Sequence, residues 1–161
     1  MEQNTYNEYR NKARKLYEKT ISQYKNLWVH VETVEKVAQF FCEYADLSQE
    51  EKYTIYLGCI LHDIGKTDEA KLYLSKRKKH NKGGAEYLNK YFFTETSIAK
   101  SDKKIILHMV KQHRGKLKFK NLNDPIECLA VTLVRIADDF ANQKILMSNG
   151  KVYIRYKGRV K

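Results

Sequence analysis

The chain has 161 residues, of which 42% are hydrophobic and 12% aromatic, so it can bury the core of one compact domain and is not intrinsically disordered. One proline and seven glycines are few for a many-stranded sandwich and favour long helices. The net charge of +12 favours a polyanionic ligand such as a nucleotide, a nucleic acid or polyphosphate, although a basic solvated surface would give the same composition.

No run approaches the roughly 18 apolar residues of a membrane span, and the polar N-terminus does not resemble a signal peptide. Cys42, Cys59 and Cys128 lack Cys-x-x-Cys spacing and lie in apolar helical segments. We therefore expect reduced thiols in a cytoplasmic protein without a membrane partner. The oligomeric state is left open.

Helical spacing of apolar residues begins near the N-terminus. Residues 5–24 predict a peripheral helix whose apolar stripe includes Tyr17, Ile21 and Tyr24. His30 begins the inward face of the next predicted helix, whose apolar stripe continues at helical intervals to Ala45.

A capping-box pattern at Ser48 and Glu51 predicts the start of a further helix. This helix should carry the doublet His62-Asp63 at its C-terminal end and stop at Gly65, where glycine would allow a sharp turn.

In the second half, a basic run from Lys76 to Lys79 precedes His80, which opens a segment whose stripe includes Tyr91. Ser101 is the predicted cap of the next helix, and His113 continues its apolar face. The basic run is more simply a solvated face than a binding site.

The last predicted helix starts with Asp124 as N-cap and Pro125 at the first position, and Glu127 would complete a capping box. It is apolar nearly all round, so Asp138 within it should be paired or bound to a metal ion. Arg135 could instead pair with Asp139, which would leave Asp138 for the metal.

The expected fold is an all-α helical bundle with a small C-terminal β-hairpin, in a single domain spanning residues 1–161. The core covers residues 28–142. Residues 143–161 form the hairpin, with a type I′ turn at Asn149-Gly150, and a basic tail.

The strongest chemical signal is Leu-His-Asp-Ile-Gly-Lys at Leu61–Lys66. A neutral imidazole beside a carboxylate offers a divalent ion nitrogen and oxygen ligands from adjacent residues, and Lys66 places an ammonium where phosphate oxygens could meet it. The alternative is a helix C-terminus carrying a histidine stabilised by the helix dipole.

Further ligand-type residues lie far apart in sequence but on inward helical faces. One divalent ion could be enclosed by His30, His62, Asp63 and Asp138. A second could be held by His80 and His113, with Asp63 bridging the two ions and a phosphoryl group clamped between them. His108 competes with His113 but is out of step with its apolar face.

This pattern resembles the H…HD…D signature of the HD superfamily of metal-dependent phosphohydrolases, with His30, the doublet His62-Asp63 and Asp138 in the matching positions over roughly residues 28–142. His80 and His113 resemble the extra histidine pair of dinuclear branches, such as the diadenosine-tetraphosphatase-like proteins and CRISPR HD nucleases. The Gly-Tyr-Pro element of the cyclic-dinucleotide branch is absent.

The resemblance implies hydrolysis of a phosphoester or phosphoanhydride bond with divalent ions, expected to be two, of manganese, iron, magnesium or nickel. We expect a nucleotide or related small phosphate compound as substrate, with Asp63 and Lys66 as catalytic residues and Lys66 and Arg114 as substrate-binding residues. The alternatives are an HD-type nuclease acting on single-stranded nucleic acid and a non-catalytic basic binding module of the same fold.

Overall fold

A computed structural model describes residues 1–21, 26–74, 78–93, 98–118, 122 and 124–142, with the backbone of residues 145–148, 151–156 and 159–160. The helices are α1 (Gln3–Glu18), α2 (Leu27–Cys42), α3 (Gln49–Leu61), α4 (Asp68–Tyr73), α5 (His80–Tyr87), α6 (Lys100–Gln112) and α7 (Pro125–Ala141). A 3-10 turn at Ile64–Lys66 follows α3, and a π-helical turn at Leu88–Phe92 follows α5. In this part of the chain no helix is long and apolar enough to span a membrane.

Helix α3 forms the centre of the bundle. Every residue from Thr54 to Leu61 is buried, and α3 packs against α1, α2, α6 and α7. The predicted capping box is confirmed, since Ser48 Oγ accepts a hydrogen bond from Glu51 N while the Glu51 carboxylate accepts one from Ser48 N. This central position explains why the residues that follow α3 can face several other helices.

The predicted end of this helix was wrong. Helix α3 ends at Leu61, with His62 as its C-cap, and Gly65 lies inside the 3-10 turn. Gly65 does not have a positive φ; among the described glycines only Gly115 does. Glycine is needed at position 65 because a Cβ there would collide with the carbonyl oxygen of His80 and lie 2.9 Å from Gly84 N. The missing side chain lets α5 pack directly on the 3-10 turn.

Helix α1 is fixed to α2 by a buried carboxylate. Glu35 is 1% exposed, and the Arg10 guanidinium donates to it, with Arg10 Nη2 at 2.7 Å from Glu35 Oε2. The hydroxyl of Tyr6 donates to the other oxygen. Because both oxygens have donors, the buried charge is compensated. The stripe predicted on this segment was wrong at its end, since Ile21 is 94% exposed; Tyr24 lies outside the described residues.

Two details of the second half also differ from the prediction. Helix α6 begins at Lys100 with Ala99 as N-cap, so Ser101 lies inside its first turn and does not cap it. Tyr91, expected on a buried stripe, is 44% exposed. The π-helical turn changes the angular spacing of the residues that follow α5, which helical periodicity of 3.6 residues does not anticipate.

Helix α7 starts as predicted, with Asp124 Oδ1 accepting from Ile126 N and Pro125 at the first position. The predicted capping box was wrong, because the Glu127 carboxylate contacts Lys104 and His108 on α6. No residue from Ile126 to Ala141 is fully exposed, in agreement with an inward position for this helix.

Beyond α7, the backbone of β1 (Ile145–Ser148) pairs antiparallel with β2 (Lys151–Tyr156), with Ile145 opposite Ile154. The second strand pairs antiparallel with β3 (Arg159–Val160). The expected turn at Asn149-Gly150 lies outside the described residues.

The contact at Gly65 gives a test of the packing between α5 and the 3-10 turn. We expect Gly65→Ala to lower the free energy of unfolding by about 1–3 kcal/mol, because the added methyl group meets rigid backbone of α5. The matched control is Gly83→Ala on α5, whose Cβ would meet only the flexible end of Leu74 and should change stability by less than about 1 kcal/mol. Urea denaturation of both variants measures this, and equal losses would contradict the explanation.

Candidate metal centre

The candidate ligands are brought together at the ends of helices. His62 caps the C-terminus of α3 and Asp63 follows it, His113 caps the C-terminus of α6, and His80 is the first residue of α5. His30 lies in the first turn of α2 and Asp138 in the last turn of α7. The structure therefore places all six predicted residues at one site.

Asp63 lies at the centre of this site, with its two carboxylate oxygens facing different imidazoles. Asp63 Oδ2 lies 3.5 Å from His30 Nε2 and 3.4 Å from His62 Nε2. Asp63 Oδ1 lies 3.4 Å from His80 Nε2 and 3.5 Å from His113 Nε2. The carboxylate thus divides the four histidines into two pairs.

Asp138 supplies a second carboxylate to the pair formed by His30 and His62. Asp138 Oδ1 lies 3.2 Å from His30 Nε2 and 3.7 Å from His62 Nε2. The Asn142 amide donates to Asp138 Oδ1 at 2.7 Å and to the Asp138 carbonyl at 2.8 Å, which fixes the carboxylate on its helix. Asn142 was not among the residues predicted for the site, although its spacing of four residues from Asp138 indicates a shared helix face.

Two of the imidazoles are oriented by backbone carbonyls. His62 Nδ1 lies 2.7 Å from the carbonyl oxygen of Cys59, and His113 Nδ1 lies 2.7 Å from that of Val110. A carbonyl only accepts, so each Nδ1 carries a proton, and Nε2 is the nitrogen left to bind a metal ion once the ring is neutral. This is the arrangement that a metal-binding histidine requires.

Two atoms at this site are buried without a hydrogen-bond partner among the described residues: His62 Nε2 and Asp63 Oδ1. An unsatisfied buried polar atom costs about 1–3 kcal/mol, so such atoms call for a ligand. Two sets of residues offer ligand atoms within 4.8 Å of one another: His30, His62 and Asp138, and His62, Asp63 and His113. Imidazole nitrogen and carboxylate oxygen suit a divalent transition-metal ion, so the residues present fit such an ion.

The pKa values reflect the same concentration of negative charge. Burial opposes a charge on His62, but the carboxylates of Asp63 and Asp138 outweigh it and raise the pKa of His62 to about 10. Burial lowers the pKa of His80 to about 4, and it also lowers that of His113. Burial would raise the pKa values of both carboxylic acids, yet the surrounding imidazoles hold them below their usual range. Both carboxylates are therefore ionised at neutral pH.

Two cationic side chains lie at the edges of the site. Lys66 Nζ donates to Asp63 Oδ2 and lines a cavity of about 510 Å³ next to His30. Arg114 is half exposed, with Nε 3.9 Å from Asp138 Oδ2. Both residues predicted to bind substrate are therefore within reach of the cluster, on its open sides.

The competing residue His108 is not part of the cluster. Its Nδ1 lies 3.0 Å from Glu127 Oε2, on the contact between α6 and α7. The Arg135 guanidinium, considered as a partner of Asp139, donates to the carbonyl oxygens of Gln112 and Gly115. In the basic run, Lys78 pairs with Glu86, whereas Lys76 and Arg77 lie outside the described residues.

Comparison with known protein families gives a match to the HD domain over residues 27–143, a range that contains all six clustered residues. This chain belongs to the HD domain family. The family is one of metal-dependent phosphohydrolases that bind divalent ions, and the match does not distinguish its branches. No curated protein matches the chain.

The raised pKa of His62 predicts that metal binding to this HD domain releases a proton. At pH 8 the metal-free ring is protonated, because its pKa is about 10, and a bound ion must displace that proton. The apparent affinity for Mn²⁺ should therefore increase as the pH rises from about 7 to about 8.5, a range that lies below this pKa. Titration calorimetry in two buffers of different ionisation enthalpy measures the release, and equal binding enthalpies in both buffers would contradict it.

Proposed function

We propose that the chain is a metal-dependent phosphohydrolase that cleaves a phosphoester or phosphoanhydride bond in a nucleotide or related phosphate compound. The observation that carries the proposal is the position of Asp63, whose two oxygens each face two imidazole nitrogens. This arrangement places imidazole nitrogens that could bind metal ions on both sides of the Asp63 carboxylate. Membership of the HD domain family supports the same reaction class.

The proposed site holds two divalent ions. His30, His62 and Asp138 would serve one ion, and His80 and His113 the other, with Asp63 shared between them. When bound, such ions supply Lewis acidity towards phosphate oxygens and lower the pKa of a water molecule. The buried ligand atoms are held in place by the Cys59 and Val110 carbonyls and by Asn142, so they do not need to reorganise when an ion binds.

The cationic residues are proposed to bind the substrate. Lys66 neutralises part of the charge of Asp63, and its partly exposed ammonium lies where a phosphate oxygen can reach it. Arg114 extends the positive potential on the other side of the cluster. The lining of the cavity next to His30 includes Lys66 together with the uncharged residues Asn26, Leu27, Val29 and Asn142, so away from Lys66 it suits an uncharged part of the substrate.

Hydrolysis that depends on the clustered aspartates tests the proposed activity. With Mn²⁺ present, the protein should hydrolyse bis(p-nitrophenyl) phosphate or members of a nucleotide panel, and a chelator should abolish this. Asp138→Asn should lower kcat/KM at least about 100-fold, because it removes a ligand charge. The matched control, Asp139→Asn, alters the adjacent carboxylate and should stay within about threefold.

If no phosphate substrate is turned over with any of the candidate metals, the chain is a non-catalytic binding module. If both Asn variants lose activity equally, the assignment of Asp138 is wrong.

The number of ions forms a separate prediction. Titration with Mn²⁺ should show two equivalents per chain, and anomalous scattering should place the ions about 3.5–4 Å apart. Substituting both His80 and His113 by alanine should leave one equivalent, because His30, His62, Asp63 and Asp138 remain. A single equivalent in the unmodified protein would reject the dinuclear site and leave a one-metal phosphohydrolase.

A further inference from the structure

A basic cleft adjoins the candidate metal centre on the side of His80. It has a volume of about 710 Å³ and lies between the start of α5 and the end of α6 with the loop that follows. Its cationic side chains are Lys79, Lys82, Lys111, Arg114, Lys116 and Lys118. We propose that this cleft binds a row of phosphate groups that continues from the phosphate at the metal centre. The substrate is then an oligophosphate chain and not a single phosphate ester.

The share of cationic residues is higher in the cleft lining than in the chain as a whole. Six of the eleven described lining residues are Lys or Arg, and none is Asp or Glu, whereas 31 of the 161 residues in the chain are Lys or Arg. Elsewhere several lysines pair with carboxylates, as in Lys36–Glu32 and Lys71–Asp68. None of the five cleft lysines forms a salt bridge with a described residue. The unbalanced positive potential favours a ligand with several negative charges.

Both walls of the cleft are fastened to the bundle. On one wall, the buried Asn81 amide donates to the Lys111 carbonyl at 2.8 Å and ties α5 to α6. On the other, Arg135 donates to the carbonyls of Gln112 at 2.7 Å and Gly115 at 2.9 Å, so it clamps the loop that presents Arg114 and Lys116. Gly115 has a φ of 83°, a conformation that favours glycine. These hydrogen bonds hold α5 against α6 and anchor the loop that carries Arg114 and Lys116.

The cleft is continuous with the metal centre. His80 lines the cleft, and its Nε2 also faces Asp63 Oδ1 at 3.4 Å. Arg114 lines the cleft and approaches Asp138. A phosphate at the metal centre therefore has its neighbouring phosphates directed towards the lysines. This inference rests on the proposed function for the position of the first phosphate. The cleft lysines account for the binding of the phosphates that follow it.

The cleft is suited to phosphates and not to bases. Among its described lining residues there is no Phe, Tyr or Trp, the large aromatic side chains on which single-strand binders stack their bases. A phosphodiester backbone and an inorganic polyphosphate both offer a row of phosphates. Electrostatic binding of this kind weakens steeply with salt.

The test measures binding in the presence of a chelator, so that nothing is hydrolysed. The probe is a short fluorescein-labelled single-stranded oligothymidylate, and the competitors are inorganic tripolyphosphate and inorganic phosphate. The variant K82Q/K111Q/K116Q removes three cleft charges. The matched control K15Q/K19Q/K100Q removes the same charge from exposed lysines that do not line the cleft and form no salt bridge with a described residue. Circular dichroism checks that both variants are folded.

We expect the cleft variant to bind at least about tenfold more weakly at low salt, and the control to bind like the unmodified protein. The slope of log Kd against log salt should fall by about two for the three lost contacts. Tripolyphosphate should displace the probe at concentrations where inorganic phosphate does not. If the oligothymidylate binds weakly and tripolyphosphate displaces it, the row of phosphates belongs to a polyphosphate. If the oligothymidylate itself binds tightly, the row of phosphates belongs to a nucleic acid backbone.

The proposal is overturned if neither ligand binds at low salt, if both triple variants bind alike, or if inorganic phosphate competes as well as tripolyphosphate. Hydrolysis of bis(p-nitrophenyl) phosphate by the unmodified protein reports on the metal centre alone. Hydrolysis without cleft binding rejects only the cleft, whereas cleft binding without any metal-dependent hydrolysis rejects the proposed function.

Discussion

The arrangement of the site depends on two carboxylates, Asp63 and Asp138, that are ionised although they are buried. Removing a charge from water is unfavourable unless opposite charge or hydrogen bonds compensate for it. Here the compensation comes from imidazoles carried by different helices, together with Lys66 and Asn142. No single helix can supply all these partners. The buried carboxylates are therefore compensated only when the helices are packed together in the bundle.

Close backbone packing makes the convergence of these partners possible. Gly65 and Gly84 allow the first turn of α5 to rest on the 3-10 turn that follows Asp63, so His80 reaches the far side of the carboxylate. On the opposite side, Tyr17 donates to the carbonyl oxygen of Ile60 at 2.8 Å and holds the end of α3 against α1. The imidazole rings are therefore positioned by the packed helix ends that carry them.

The surroundings of the site are asymmetric. On the side of His30 the cavity lining includes one cationic residue, Lys66, whereas on the side of His80 the site adjoins the basic cleft, which has six. A substrate that bridges the two would place an uncharged group on one side and further phosphates on the other. Among the described residues, six cations are therefore concentrated beside the candidate metal ligands.

The sequence by itself determined the helical architecture, the capping of α3 and α7, and the identity of the six clustered residues. These features depend on local chemistry and periodicity, which the order of residues displays directly. Only the tertiary structure showed which Asp63 oxygen faces which pair of histidines, that the missing side chain of Gly65 serves close packing against α5, and that the cleft lysines lie together. Each of these depends on contacts between residues far apart in the chain, such as Asp63 with His113 or Arg135 with Gly115, and local propensity does not encode such distances.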